Sequence, residues 1–342
     1  MIKYAHIGLP KGASSWLQNV FFPSHPEIAH LGRGPRKYAL NEAIKVFLWH
    51  DALSTPEYCF DSVATRKTFD EAFSQVSENK DVKAAGVSQE LFTNIFFERL
   101  DIPQRAQRLK AAMGDDVQII FILRNQFDFI KSHYDTSVWQ LGYTNSFEEH
   151  LHHFYYDRDI GAYANLYYDK IFETYADIFG QENVHAIPFE LIKQGAVHFS
   201  NTICESLGIS HFPDVKKESV NAKNTDEVRA AMLLFNRRWR YSMGGGTYNR
   251  AIATHQTSWY KEKFDIEVPD RQLQNQKFHH FMFRSSQEKI VKKAREINPN
   301  FTVEKLEIPE FYQEKIAEDI APHNRKLAEY TKYDLKELGY IL

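Results

Sequence analysis

The sequence predicts an α/β protein: a P-loop-like central parallel sheet flanked by helices on both faces, with a mostly helical C-terminal insertion. Three observations carry that expectation. Short strand patterns alternate with helical ones over roughly the first 210 residues. Val117–Leu123 has the apolar character of a strand buried on both faces, as in parallel sheets. The first strand pattern breaks at Gly8, Pro10 and Gly12 and runs straight into a helix, the layout of a ligand-binding strand end in an open α/β sheet.

In chain order, residues 2–8 read as a short strand. Ser14 or Ser15 can cap the helix that follows through Trp16, Leu17, Val20 and Phe21, and "FPSHP" ends it. "EIAHLG" reads as a second strand, and residues 37–81 carry helical spacing. "DVKAAGVSQELF" reads as strand, turn and helix, and so does "DVQIIFILRNQFDFIKSHYDTSVW". A further strand at 184–189 follows the helix "YANLYYDKIFETYADIFG", and "AVHFSNTICESLGI" is a helix closed by Gly208. From about 211 to 320 the pattern weakens into helices and polar loops, including 242–249. The basic clusters at 236–240 and 289–295 read as solvated helix faces.

Bulk composition narrows the function. The net charge of −3 gives no global basic field for a nucleic-acid polymer. Cys59 and Cys204 form no C-x-x-C pair and read as thiols of a reducing compartment. The opening "MIKYAHIGLPKG" breaks too soon for a secretory signal, and no apolar run nears the roughly 20 residues of a transmembrane helix. The expectation is a soluble cytoplasmic protein.

Chemistry concentrates at three strand ends. In "GLPKGASSW" the lysine precedes the glycine, whereas a Walker A loop places it after. A glycine-containing loop entering a helix offers backbone N–H groups and the positive end of the helix dipole. With Lys11 and the hydroxyls of Ser14 and Ser15 it forms an anion nest. Arg124 follows the Val117–Leu123 strand and offers a planar fork suited to phosphate. Ser132, eight residues on, falls on the next helix. Glu90 follows the strand 83–87, where a carboxylate beside an acceptor hydroxyl can act as general base. All three features converge on one sheet edge.

These motifs resemble those of sulfotransferases that use 3′-phosphoadenosine 5′-phosphosulfate, and among them the bacterial and Golgi carbohydrate-type branches. The first signature is matched by Lys11, Gly12, Ser14, Ser15 and Trp16, with Ala13 where glycine is commoner. The second is an apolar strand ending in Arg-Asn with a serine eight residues after the arginine. Arg124 and Ser132 match it, while Gln126 stands in place of the usual proline. "YADIFGQENVHAIPFELI", "ICESLGI" and "NRKLAEYTKYDLKELGY" are similar to later stretches of the family, and the likeness is poor for 35–80 and 211–320.

The resemblance implies one α/β domain over 1–342, with 35–80 and 211–320 as insertions that shape the acceptor pocket. It implies transfer of a sulfuryl group to an acceptor hydroxyl, leaving adenosine 3′,5′-bisphosphate. Lys11 would stabilise the leaving phosphate. The backbone of residues 12–16, with Ser14 and Ser15, would cradle the 5′-phosphate, and Arg124 and Ser132 would hold the 3′-phosphate. Glu90 would be the base, with His133 and His6 as rivals, although His6 reads better as a packed strand residue. No metal is required. The acceptor branch points to carbohydrate, and Trp49, Trp139, Tyr155 and Tyr156 could stack on sugars, but phenol, lipid or small metabolite acceptors stay open. Two other classes compete. One is a P-loop kinase-like phosphotransferase, which would need the Walker order and an acidic Mg²⁺ ligand. The other is a non-catalytic glycan- or protein-binding module on the same fold.

Overall fold

β1 (Ile2–His6), β2 (Ile28–His30), β3 (Ala84–Ser88), β4 (Val117–Leu123) and β5 (Val184–Pro188) form one parallel sheet in the order β2-β3-β1-β4-β5. The computed structural model describes residues 1–32, 41–93, 100–158, 162–215, 225–239 and 285–342. The glycine-rich loop expected at 242–249, and parts of the stretches 35–80 and 211–320 expected to be insertions, lie outside the described residues.

Side chains alternate across a strand, so each strand feeds both faces of the sheet. Tyr4, Ile120, Ile122 and Ile187 share one face and pack with Leu17, Phe21, Phe22, Phe199 and Ile203. Those partners lie on the helical stretch that begins at Ser14 and on the helix Ala196–Ser206. Phe121 points the other way and meets Tyr168 edge-on, with centroids 6.2 Å apart. Tyr168 opens the helix Tyr168–Phe179. On that same face the Lys3 ammonium donates to the Met113 carbonyl at 2.8 Å and lies 4.9 Å from the centre of the Phe73 ring. This brings in the helices Ile102–Met113 and Ser62–Ser77. Helices therefore cover both faces, which is what an all-parallel sheet requires. The polar residue inside β4, Gln118, is satisfied by Asn183 and His185, each at 2.7 Å.

Two differences from the sequence pattern matter for the site. Ser14 and Ser15 do not cap their helix: Ala13 occupies the cap position, with no side-chain cap, and Ser14 is the first helical residue. The helix also runs on through a π-helical Leu17–Phe21 to Phe22–Ser24, beyond the expected end near Phe21. After β3, the expected helix is a single 3₁₀ turn, Glu90–Phe92, with 94–99 outside the described residues.

The chain divides into two compact units. The first comprises Met1–Phe129, Phe154–Asn221 and Phe311–Leu342 and holds the whole sheet. The second comprises Ile130–His153 and Ala222–Glu310. Within it, the buried Arg229 pairs with Asp226 at 2.8 Å and donates to the Glu304 carbonyl at 2.6 Å. Asn236 donates to the carbonyls of Val138 and Tyr143. His133 and His150 stack with centroids 5.4 Å apart.

Strand order sets the position of the binding crevice. β1 connects toward β2 on one side of the sheet and β4 toward β5 on the other, so the direction of winding reverses between β1 and β4. In open α/β sheets that switch point, at the carboxyl ends, is where ligands bind. Close packing at the sheet centre supports this geometry. A Cβ on Gly86 would lie 1.9 Å from the Tyr4 carbonyl oxygen and 2.6 Å from its ring. Gly86→Ala is therefore expected to destabilise the protein by more than about 4 kcal/mol, well above an ordinary substitution. Urea unfolding checks this, and a midpoint close to wild type would refute it.

Candidate functional site

The loop after β1 takes an unusual path. Lys11 and Ala13 both have positive φ, 68° and 64°. A side chain in this left-handed region costs about 1–2 kcal/mol, and such strain gathers at ligand-binding loops. The question raised by Ala13 in place of glycine thus has a structural form: the position needs the conformation glycine adopts freely, and alanine adopts it under strain. Between them, Gly12 sits so close to β4 that a Cβ would lie 3.1 Å from the Leu9 carbonyl oxygen and 3.3 Å from Ile122.

Not every N–H expected to face an anion is available. Gly12 donates its N–H to the Leu9 carbonyl at 3.1 Å, inside the loop. Further along, the first-turn N–H groups of Ser14 and Ser15 have no intrahelical acceptor. The Ser14 hydroxyl oxygen is buried and has no hydrogen-bond partner. An unmet hydroxyl at a helix start suits an anion with acceptor oxygens. Lys11 is exposed, Ser15 is half-buried, and Trp16 is buried against Phe21 and Phe199. Trp16 acts as a packing anchor for the helix.

Arg124 closes the crevice from the β4 side. Its guanidinium donates to the Lys11 carbonyl at 2.5 Å and lies 5.7 Å from the centre of the Phe189 ring. Its Nε is buried and has no hydrogen-bond partner. Burial works against its charge, and Asp128 and Glu190 act in the opposite direction. Asn125 caps the next helix, its Oδ1 accepting from the N–H groups of Phe127 and Asp128. Gln126, which stands where the resembled family has proline, is buried, and its amide donates to Asn324 at 2.6 Å. Proline could not make that bond. Ser132 lies on the helix Gln126–Leu141, in the part of it that belongs to the second unit.

On the other side of β1, Glu90 opens the 3₁₀ turn after β3. One carboxylate oxygen accepts from the Gln18 amide at 2.9 Å, and the same nitrogen donates to the Ser88 hydroxyl at 3.0 Å. The Ser88 hydroxyl in turn shares a hydrogen bond with His6 Nδ1 at 2.6 Å. His6 Nε2 faces Gly8, where a Cβ would lie 2.5 Å away, and has no hydrogen-bond partner. Burial, with His30 adding to it, lowers the pKa of His6 to about 3. His133, in the second unit, is lowered to about 4 by burial.

Sequence reading missed Gln18, Ser88, Glu190 and Tyr340. Gln18 lies one helical turn after Ser14, on the same face, and that spacing could have drawn attention to it. Glu190 follows β5 as Glu90 follows β3, two residues past the strand in each case. No group of ligating side chains suited to a metal occurs among the described residues, and no helix among them is long and apolar enough to cross a membrane.

The chain is similar to sulfotransferases of known structure. One is a sulfotransferase from Alicyclobacillus acidocaldarius: 22% identity, 69% of this chain and 92% of that one covered, TM-score 0.46. Another is the sulfotransferase domain from the curacin biosynthetic pathway: 13% identity, 94% and 98% covered, TM-score 0.37. No protein-family profile and no curated protein matches the chain.

Two outcomes follow from the loop and its neighbours. Ala13→Gly should relieve the left-handed strain and raise stability by about 1 kcal/mol in urea unfolding; a loss of stability would remove the strain account. His6 gives an acid-side dependence. Its folded pKa lies below its unfolded value, so its contribution is complete above about pH 6.5 and falls as pH drops toward 3. The slope is at most about 1.4 kcal/mol per pH unit for this one histidine. His6→Asn should flatten the pH dependence of unfolding between about pH 6 and 4, and an unchanged slope would show that other groups carry it.

Proposed function

We propose that the protein is a sulfotransferase that uses 3′-phosphoadenosine 5′-phosphosulfate and acts on an acceptor hydroxyl, in the first instance that of a carbohydrate. The observation that carries this reading is the crevice between β1 and β4. There a strained anion loop with a displaced lysine meets an arginine bound to that loop's own backbone. The unmet Ser14 hydroxyl and the unmet Arg124 Nε support a ligand with acceptor oxygens at both ends. The donor supplies an activated sulfuryl group and a 5′-phosphate as leaving group.

The residues divide the work as follows. Lys11 places a positive charge where negative charge grows on the leaving side. The N–H groups of residues 13–16 and the hydroxyls of Ser14 and Ser15 hold the 5′-phosphate; Gly12 is used within the loop. Arg124 binds the 3′-phosphate, with Ser132 assigned to the same group by the resemblance alone. Glu90 takes the proton of the acceptor hydroxyl as its oxygen bonds to sulfur. Gln18 holds the Glu90 carboxylate in place for that role. The loop order and the arginine at the end of β4 favour this reading over a Mg²⁺-dependent kinase. The domain is one α/β enzyme on this reading, with its two insertions shaping the acceptor pocket, and the acceptor aromatics fall to residues such as Trp49 and Tyr156, both exposed.

Lys11→Ala and Arg124→Ala should each lower transfer of labelled sulfate by at least about a hundredfold while the fold is kept. Near-normal turnover in either variant would overturn the assignment. Glu90→Gln should lower kcat and leave adenosine 3′,5′-bisphosphate affinity unchanged; a normal kcat would remove it as the base. Calorimetry should show that this nucleotide binds equally with and without Mg²⁺. An acceptor screen with labelled donor over glycans, phenols and lipids identifies the hydroxyl used, and glycans are the expected hit.

A further inference from the structure

We infer that the C-terminal segment Gly339–Ile341 is a latch that positions Arg124, and thereby sets selectivity for a nucleotide carrying a 3′-phosphate. The inference rests on the assignment of Arg124 to that phosphate.

Glu190 is the centre of the latch. It is buried at the start of the 3₁₀ turn that follows β5. One carboxylate oxygen accepts from the Asn125 N–H at 2.8 Å, and the other accepts from the Tyr340 hydroxyl at 2.8 Å. Asn125 is the neighbour of Arg124 and also holds the tail directly, its Nδ2 donating to the Gly339 carbonyl at 2.7 Å. Asn324 donates to the Ile341 carbonyl at 2.8 Å and pairs with Gln126. The Arg124 carbonyl accepts from Tyr168 at 2.6 Å. The peptide unit that follows Arg124 is thus fixed by Glu190 from the turn after β5 and by Tyr168, and the next residue is tied to the C-terminal segment.

The guanidinium is held by the same turn. Phe189 supplies the ring beneath it, and the next residue is Glu190. A shift of Glu190 would move the ring and the Asn125 anchor together. Tyr340 is itself buried, 3% exposed, so its hydroxyl bond to Glu190 is not replaced by water at no cost. Tyr340 does not touch the ligand on this account. It acts through Glu190, as a positioning residue.

The test compares two nucleotides that differ only at the 3′ position: adenosine 3′,5′-bisphosphate and 5′-AMP. Calorimetry on the full chain gives both affinities for wild type, Arg124→Ala, Tyr340→Phe and Asn125→Ser. Serine keeps the helix cap but loses the donor to Gly339. Tyr340→Phe and Asn125→Ser should each weaken the bisphosphate by roughly fivefold, the effect of one hydrogen bond, and leave 5′-AMP unchanged. Arg124→Ala should remove the preference for the bisphosphate. If both latch variants bind the two nucleotides as wild type does, while Arg124→Ala loses the preference, the latch is refuted and the site assignment stands. Equal weakening of both nucleotides would reduce the tail to general scaffolding and also refute it. If Arg124→Ala keeps the preference, the assignment of Arg124 fails and takes the latch with it. Should one latch variant not fold, the other decides.

Discussion

The bond from the Arg124 guanidinium to the Lys11 carbonyl is the contact on which the rest of the site depends. It joins the carboxyl ends of β1 and β4, which are neighbours in the sheet although 113 residues separate the two groups in sequence. Two residues of the loop stand in the left-handed region, and neither is glycine. Such a loop would relax if nothing over-determined its path. The arginine at the end of β4 does so, together with the close packing of Gly12 on Ile122 of the same strand. The sheet order makes both constraints meet where the winding direction reverses.

The sheet and its strand ends were legible because their signals are local. Alternating strand and helix patterns, the turn at Gly8, Pro10 and Gly12, and the apolar β4 each lie within a few residues of sequence. The same is true of the positions of Lys11, Glu90 and Arg124, each within a few residues of the end of β1, β3 or β4. What could not be read is set by the third dimension. Gln18 reaches Glu90 across 72 residues, and Tyr340 reaches Glu190 across 150. No spacing rule spans such distances. Backbone conformation was hidden as well: serines beside a helix start suggest a cap, yet the cap position falls to Ala13. The Gly12 N–H looked available for a phosphate and is used within the loop. Composition and motif order state which groups are present, and only the fold states which are already committed.

On the proposed function, the strain at Ala13 also bears on affinity. A glycine there would visit many conformations before a ligand arrived, and ordering them would cost binding free energy. Alanine has fewer alternatives, so a loop held in this conformation by its neighbours is closer to its bound form beforehand. The stability given up at Ala13 is thus coupled to a smaller ordering cost on binding. Trp16, packed on Phe21 and Phe199, extends the same rigidity into the helix that carries Ser14 and Gln18.

Charge completes the arrangement. An anion crevice bordered by carboxylates would repel its ligand unless those carboxylates were engaged elsewhere. Glu190 is turned onto Asn125 and Tyr340, two neutral donors. From there its charge favours the ionised form of Arg124, against the desolvation that burial imposes on the guanidinium. Glu90 is held by a neutral amide on the helix that follows the anion loop. A neutral donor aligns a carboxylate without cancelling its charge, whereas a lysine or arginine in the place of Gln18 would neutralise it. The two carboxylates at the strand ends therefore serve opposite purposes. One supports the charge of Arg124, and on the proposed function the other is held to take the proton of the acceptor hydroxyl.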